Sequence, residues 1–406
     1  MDKLKSIYFL RGVAALAVVC QHAFRHDMEL SSDAIWLRLA HDITNYGYLG
    51  VALFFVISGF CIHLRTARGL RLTGKVTLDW RDFWWRRIHR LYPPYLVMLL
   101  ISMSLWVYVY ATGGANIYPD RGAHWLVIDF VSHLFMLHGF HPALDQGAGN
   151  PAYWTLAREE YFYLMYAGVF ILLRRLYGIR KTMCFVLLSG MITYLISHAA
   201  VPENSPWQRI IMLSPVYLWI QWALGALAVE AHLGNIKLPR WCYWLALFPV
   251  WFVLGCYVRT RLPVLEPAAW GMAFFTLLNY CVRREGEGRW PESFPFRWLF
   301  SIGVFSYSMY LAHPVMTAAV RRVTRDIETD DPVTYILFGV LIVLCCIASG
   351  RAYYELVERR FLNTSPKARA PRLEPLPRVP REEFAAKEKG QGEAPALLST
   401  CRLKSD

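Results

Sequence analysis

Two ionisable side chains, Arg11 and His22, interrupt an otherwise apolar run from Ile7 to Phe24. Charged groups inside such runs are costly to bury and by default mark function. Their spacing brings both to one face of a helix and sets His22 about 16 Å further along it. A second run opens with Trp154, Thr155, Leu156, Ala157, Arg158 and Glu159. It places Glu159 about two turns in, at the depth of His22 on an antiparallel helix. A carboxylate bonded to one imidazole nitrogen fixes the tautomer and leaves the other nitrogen to take a proton from a hydroxyl. His22 and Glu159 are read as a catalytic pair on that ground. The bland alternatives are an Arg11 that snorkels to the interface, a His22 that satisfies a helix contact, and a Glu159 paired with Arg158 or an outer-loop cation.

Arg86 and Arg90 precede Pro93, Pro94 and Tyr95, and their spacing of four puts them on one helical face. Two guanidiniums there suit the phosphates of a nucleotide-like donor, although basic residues at a cytoplasmic helix end also serve topology alone. A run from Tyr307 through Tyr310 to His313 and Pro314 carries a further imidazole to the depth of His22. No phosphate loop, nucleophile elbow or HExxH motif occurs. None of the nine cysteines shows metal-ligand spacing, so no metal or redox role is expected.

These groups need a membrane to hold them. The 406 residues are 56% hydrophobic and only 18% charged, against about 25% charged in soluble domains. Apolar runs fall at roughly Ile7–Phe24, Tyr48–Leu64, Pro94–Thr112, Tyr153–Leu173, Met183–Ala200, Ile210–Val229, Trp241–Val258, Leu265–Val282, Trp298–Val320 and Val333–Tyr354. The expectation is therefore an all-α polytopic membrane protein of about ten transmembrane helices. The stretch Trp125–Leu137 is too short and polar to span and is placed at the outer interface or beside the fourth helix.

Alternate loops are basic, as at Lys3 and Lys5, Arg65 to Arg90, Arg174 to Lys181, Lys237 and Arg240, and Arg283 to Arg289. That puts both termini in the cytoplasm, with Arg321, Arg322 and Arg325 as the exception. The net charge of +13 is then topology and attraction to anionic lipid, not a nucleic-acid footprint. The first run lacks a small-residue cleavage site and is read as a retained helix. Residues 1–362 form the membrane domain, and 363–406, rich in Pro, Lys, Arg and Glu, form a disordered basic cytoplasmic tail.

Five segments in order resemble the bacterial membrane-bound acyltransferase-3 family, which includes glycan O-acetylases, nodulation-factor acetylases and macrolide acylases. The resemblance is carried first by Leu10, Arg11, Gly12, Ala14, Val18 and His22, then by the stretch Gly50 to Phe60. It continues at Arg86, Arg87, Arg90, Pro93 and Tyr95, at Trp154, Thr155, Leu156, Glu159, Phe162 and Tyr163, and from Tyr307 to His313. Ala52 and Arg360 depart from the pattern without touching the proposed chemistry. The likeness is to the single-domain type, without an appended esterase-like domain.

What the resemblance implies is O-acyl transfer, most simply of acetyl, from cytoplasmic acyl-CoA to a sugar hydroxyl of a surface polysaccharide, lipopolysaccharide or glycolipid. Arg11, Arg86 and Arg90 would hold the CoA end. His22 would act as base or acyl relay oriented by Glu159, with Trp154, Tyr307, Tyr310 and His313 in support. Acyl-CoA enters as donor substrate and no tightly bound cofactor is implied. The expected home is the bacterial cytoplasmic (inner) membrane. A small-molecule glycoside such as a macrolide is an alternative acceptor. A proton-coupled glycan or lipid transporter is the alternative from another class, disfavoured by the lack of inverted repeats.

Overall fold

The computed structural model describes residues 4–24, 42–112, 124–324 and 332–362. The tail expected over 363–406, and Arg325 of the exceptional cluster, lie outside them. The protein is an all-α polytopic membrane protein, with no strand among the described residues.

In chain order the helices are α1 (Lys5–Ala23), α2 (Leu49–Thr73), α3 (Trp80–Ala111), α4 (His124–Leu134), α5 (Tyr153–Met165), α6 (Ile171–Ala200) and α7 (Pro206–Met212). There follow α8 (Pro215–His232), α9 (Leu247–Arg261), α10 (Glu266–Gly286), α11 (Phe294–Val304), α12 (Ser306–Val323) and α13 (Pro332–Leu356). Local signals explain several boundaries. Asp79 caps α3 by accepting from the Asp82 N–H at 3.0 Å, and Ser214 caps α8 just ahead of Pro215. A π-helical turn, Tyr166–Phe170, joins α5 to α6, and Gly178 bends α6 by adopting a left-handed φ of 75°.

Among the described residues, six stretches are long and apolar enough to cross a membrane by length and composition: Lys5–Ala23, Asp42–Thr73, Trp80–Ala111, Tyr153–Ala200, Pro206–His232 and Val333–Leu356. All ten segments expected from hydropathy fall on helices. The difference in number has local causes. The fourth and fifth segments share the stretch bent at Gly178, and the seventh falls on α9, only 15 residues long. The eighth falls on α10, whose ends carry Glu266, Arg283, Arg284 and Glu285 and which is not among the six. The ninth, expected to be continuous, is divided at Phe305 into α11 and α12.

The helices touch through small residues. A Cβ at Gly59 of α2 would strike the Trp222 carbonyl of α8, and one at Gly225 would strike the Val56 carbonyl of α2. Gly12 of α1 and Gly303 of α11 form a second reciprocal contact of this kind. Without a hydrophobic driving force between helices in lipid, such backbone proximity is how they associate. Outward faces are apolar instead: Leu188, Ile192 and Leu195 on α6, Val250, Val253 and Tyr257 on α9, and Leu337, Leu341 and Leu344 on α13 are exposed at helical spacing.

Helix α4 shows the same inversion over 11 residues. Val127, Ile128 and Val131 face outward, while Asp129, Ser132 and His133 are buried. Its inward face is held from both neighbours. Tyr95 of α3 donates to the His133 carbonyl at 2.8 Å, and the Asp129 carboxylate accepts from the Ala148 N–H at 2.6 Å.

Candidate active site

Arg11 lies half-buried on α1, where its Nε donates to Ser306 Oγ at 3.1 Å. Ser306 is the first residue after the break at Phe305, and its hydroxyl also bonds the Gly303 carbonyl at 3.0 Å. The break thus sets the partner that orients Arg11. Across from it, the Glu159 carboxylate accepts from Tyr163 at 2.5 Å and from Ser58 of α2 at 3.1 Å. Cys61 sits one turn from Ser58 with an exposed side chain, yet the charges of Arg11, Arg90 and Glu159 all converge on its thiol.

Arg90 is exposed and makes no hydrogen bond or ion pair among the described residues. Arg86 does not join it as the spacing suggested. Its guanidinium pairs with Asp82, one turn earlier on the same helix, and Asp82 also takes Arg65. The physical reason is local: a buried carboxylate four residues away outcompetes any shared use of the Arg86–Arg90 face. Arg87, between them, is buried over the Phe83 ring at 3.6 Å and donates to the Phe83 carbonyl. Tyr307 reaches α3 as well, its hydroxyl donating to the Leu91 carbonyl at 2.8 Å.

At the opposite end of α1, His22 meets His313 edge to face, with ring centroids 5.0 Å apart. Each is fixed by a backbone carbonyl. His22 Nδ1 donates to Val18 O at 2.9 Å, and His313 Nδ1 donates to Tyr310 O at 2.7 Å. A carbonyl only accepts, so Nδ1 carries the proton in both rings and Nε2 carries the lone pair in each neutral imidazole. His313 is fully buried and its Nε2 has no partner among the described residues. Tyr310 places this helix against α5, its hydroxyl 2.6 Å from Thr155 Oγ1. Trp154 is half-buried beside that contact.

The pairing of Glu159 with His22 is not formed. Glu159 bonds Ser58 and Tyr163, while His22 Nδ1 bonds the carbonyl one turn back on its own helix. Arg158 does not pair with Glu159 either. It reaches Asp145 at 2.9 Å and the Leu213 carbonyl at 2.7 Å. The Val18 carbonyl holds His22 Nδ1, and Glu159 belongs with Ser58 and Tyr163.

Sequence reasoning missed a second buried polar group. Glu230 takes both Arg174 nitrogens, Nε at 2.7 Å and Nη2 at 2.8 Å, and its Oε1 also accepts from His63 Nε2 at 3.0 Å. His63 Nδ1 lies 3.1 Å from the Tyr166 hydroxyl, which bonds Thr66. Tyr166 opens the π-helical turn, so the bulge aims its ring into this network. Glu230 at the end of an apolar run was the available signal. Its partners come from 56 and 167 residues away.

The molecule is thus a membrane-embedded helical bundle with two facing imidazoles at one end of α1 and Arg11 near the other. Residues 4–351 match the acyltransferase-3 family, described as an acyltransferase domain, and the chain belongs to that family. It is 27% identical to the putative peptidoglycan O-acetyltransferase YrhL of Bacillus subtilis over 378 residues, covering 86% of this chain and 53% of that one. It is 23% identical to O-acetyltransferase OatA of Staphylococcus aureus, with 75% of this chain and 49% of the relative aligned. Acyltransferase MdmB of Streptomyces mycarofaciens is 29% identical over 43% of this chain and 41% of its own. The chain spans about half the length of the first two relatives. No solved structure matches it.

Proposed function

We propose that the protein transfers an acyl group, acetyl in the first instance, from cytoplasmic acyl-CoA to a sugar hydroxyl of a bacterial surface glycan, and that it does so in the cytoplasmic (inner) membrane with both termini inside. The names of YrhL and OatA support O-acetyl transfer, and that of YrhL a glycan acceptor. The observation that carries the reading is the pair His22–His313 at one end of α1, with Arg11 near the other end of the same helix.

In this reading Arg90 and Arg11 hold the anionic end of the donor, and Arg86 contributes only what Asp82 leaves free. The donor supplies an activated thioester. His22 Nε2 takes the proton of the acceptor hydroxyl as its oxygen attacks the thioester carbonyl. A C–O bond forms, the C–S bond breaks, and the thiolate recovers the proton from His22. His313, with its own Nε2 lone pair, stabilises the imidazolium or takes over the proton.

The test is transfer of radiolabelled acetyl from acetyl-CoA to glycans in membranes bearing the wild type, His22→Ala or His313→Ala. Loss of a general base costs about 10²- to 10⁴-fold. Label that persists undiminished in His22→Ala sinks the mechanism, and no label with folded wild type sinks the donor or acceptor assignment.

A further inference from the structure

The segment that leads into α5 carries a feature the transfer chemistry leaves unused. Between it and α7 lies a cleft of about 400 Å³ lined by Asp145, Asn204 and Arg209 among others. A second depression of about 380 Å³ adjoins it, sharing Pro142, Ala143 and Pro206, and is lined by His141 and Trp207. Together they have the size of an ordinary small-ligand site.

The chemistry of the two halves differs. In the polar half Asp145 is buried, with Oδ1 on Arg158 and with Oδ2 unpartnered among the described residues. The Arg209 guanidinium faces it closely enough to act on its charge while remaining exposed. Burial nevertheless raises the Asp145 carboxyl above its usual range. Asn204, in a left-handed φ of 59°, is exposed on the rim. In the aromatic half Trp207 is 51% exposed, and its ring stands edge-on to His141 at 5.4 Å.

An acid, an amide and a guanidinium within one cleft match vicinal hydroxyls, which donate and accept at once. A flat, half-exposed indole beside them matches the C–H face of a pyranose. An anionic ligand would meet Asp145, and a cationic one would meet Arg209. The cleft also lies at the catalytic end of the bundle. The same segment continues through Asn150, which donates to the Leu311 carbonyl at 2.9 Å, to Thr155 at Tyr310.

We infer that this cleft binds a neutral sugar unit of the acceptor glycan, with Trp207 stacked on the ring and Asp145, Asn204 and Arg209 on its hydroxyls. The inference rests on the glycan-acylating reading above for its occupant, but its test does not need catalysis. The full-length protein in lipid nanodiscs is titrated with the β-1,4-linked tetramer of N-acetylglucosamine, without acyl-CoA, by calorimetry. The expected result is saturable binding that weakens at least tenfold in both Trp207→Ala and Arg209→Gln, two exposed positions, with the helical circular dichroism of each variant unchanged. No binding by the wild type, or binding that both variants retain within twofold, overturns the cleft. Saturable, Trp207-dependent binding by a protein that transfers no label keeps the cleft and removes the enzyme.

Discussion

Replacing Glu230 by glutamine removes one charge from a site where two side chains depend on it. The carboxylate accepts two bonds from Arg174, at 2.7 and 2.8 Å, and one from His63 at 3.0 Å, with Glu230 itself fully buried. Bonds to charged groups contribute about 1.5–3 kcal/mol each. Glutamine keeps one acceptor oxygen and turns an N–H₂ towards donors, so at least one of the three bonds is lost. The guanidinium is then left in a low-dielectric interior with no counter-charge. Breaking a buried pair from one side costs about 3–5 kcal/mol, and that is the loss expected for Glu230→Gln. Equilibrium unfolding in mixed detergent micelles, followed by circular dichroism, measures it. A double-mutant cycle with Arg174→Gln separates the pair from the rest and is expected to give about 2 kcal/mol or more of coupling. A loss below about 1 kcal/mol, or additive variants, would refute the claim that this network braces α2, α6 and α8.

Arg90→Gln is expected to raise the KM for acetyl-CoA about tenfold while Arg86→Gln raises it less than threefold, because Asp82 already occupies Arg86; steady-state kinetics in membranes checks the order. Gly225→Leu forces a side chain into the Val56 carbonyl and is expected to abolish folding of the α2–α8 pair, read as loss of the monodisperse peak in detergent chromatography. Acid should loosen the segment after α4. Burial, then the neighbouring His133 stacked on it at 3.8 Å, holds the His138 imidazole well below its usual range. The unfolded chain therefore binds the proton first, and stability falls by up to about 1.4 kcal/mol per pH unit below 6.5. Thermal unfolding between pH 7.5 and 5.5 is expected to show this slope, and His138→Asn is expected to flatten it.

Hydropathy runs and helix periodicity were legible because each is a local property: every expected span lies on a helix. What could not be read was anything decided by a distant partner. The break at Phe305 looks like continuous apolar sequence, and only packing of Gly303 against Tyr8 and the Arg11–Ser306 bond reveal it. Depth along a helix brought Glu159 level with His22, but depth carries no azimuth between helices, and Ser58 of α2 took the carboxylate instead. His313 came closer to its expected place because its run carries the imidazole on the same helix as Tyr310. Glu230 and Arg174 each looked like an ordinary charge at the end of a run until the other was in view.

Helix α4 bears on the order in which the chain is assembled. Eleven residues reach about 16 Å, roughly half of a hydrocarbon core. Its inward side chains, Asp129 and His133, are tied to Ala148 and, through the His133 carbonyl, to Tyr95. One of those partners leaves the ribosome before α4 and the other after it. The segment cannot be handed to lipid alone as it emerges, since the Asp129 carboxylate would enter without its Ala148 donor. Its seating must therefore wait for the chain up to Ala148, so that α3 and the approach to α5 close over it together. A nascent chain arrested at Phe140 should leave α4 accessible to aqueous labelling, and one arrested beyond Tyr163 should protect it.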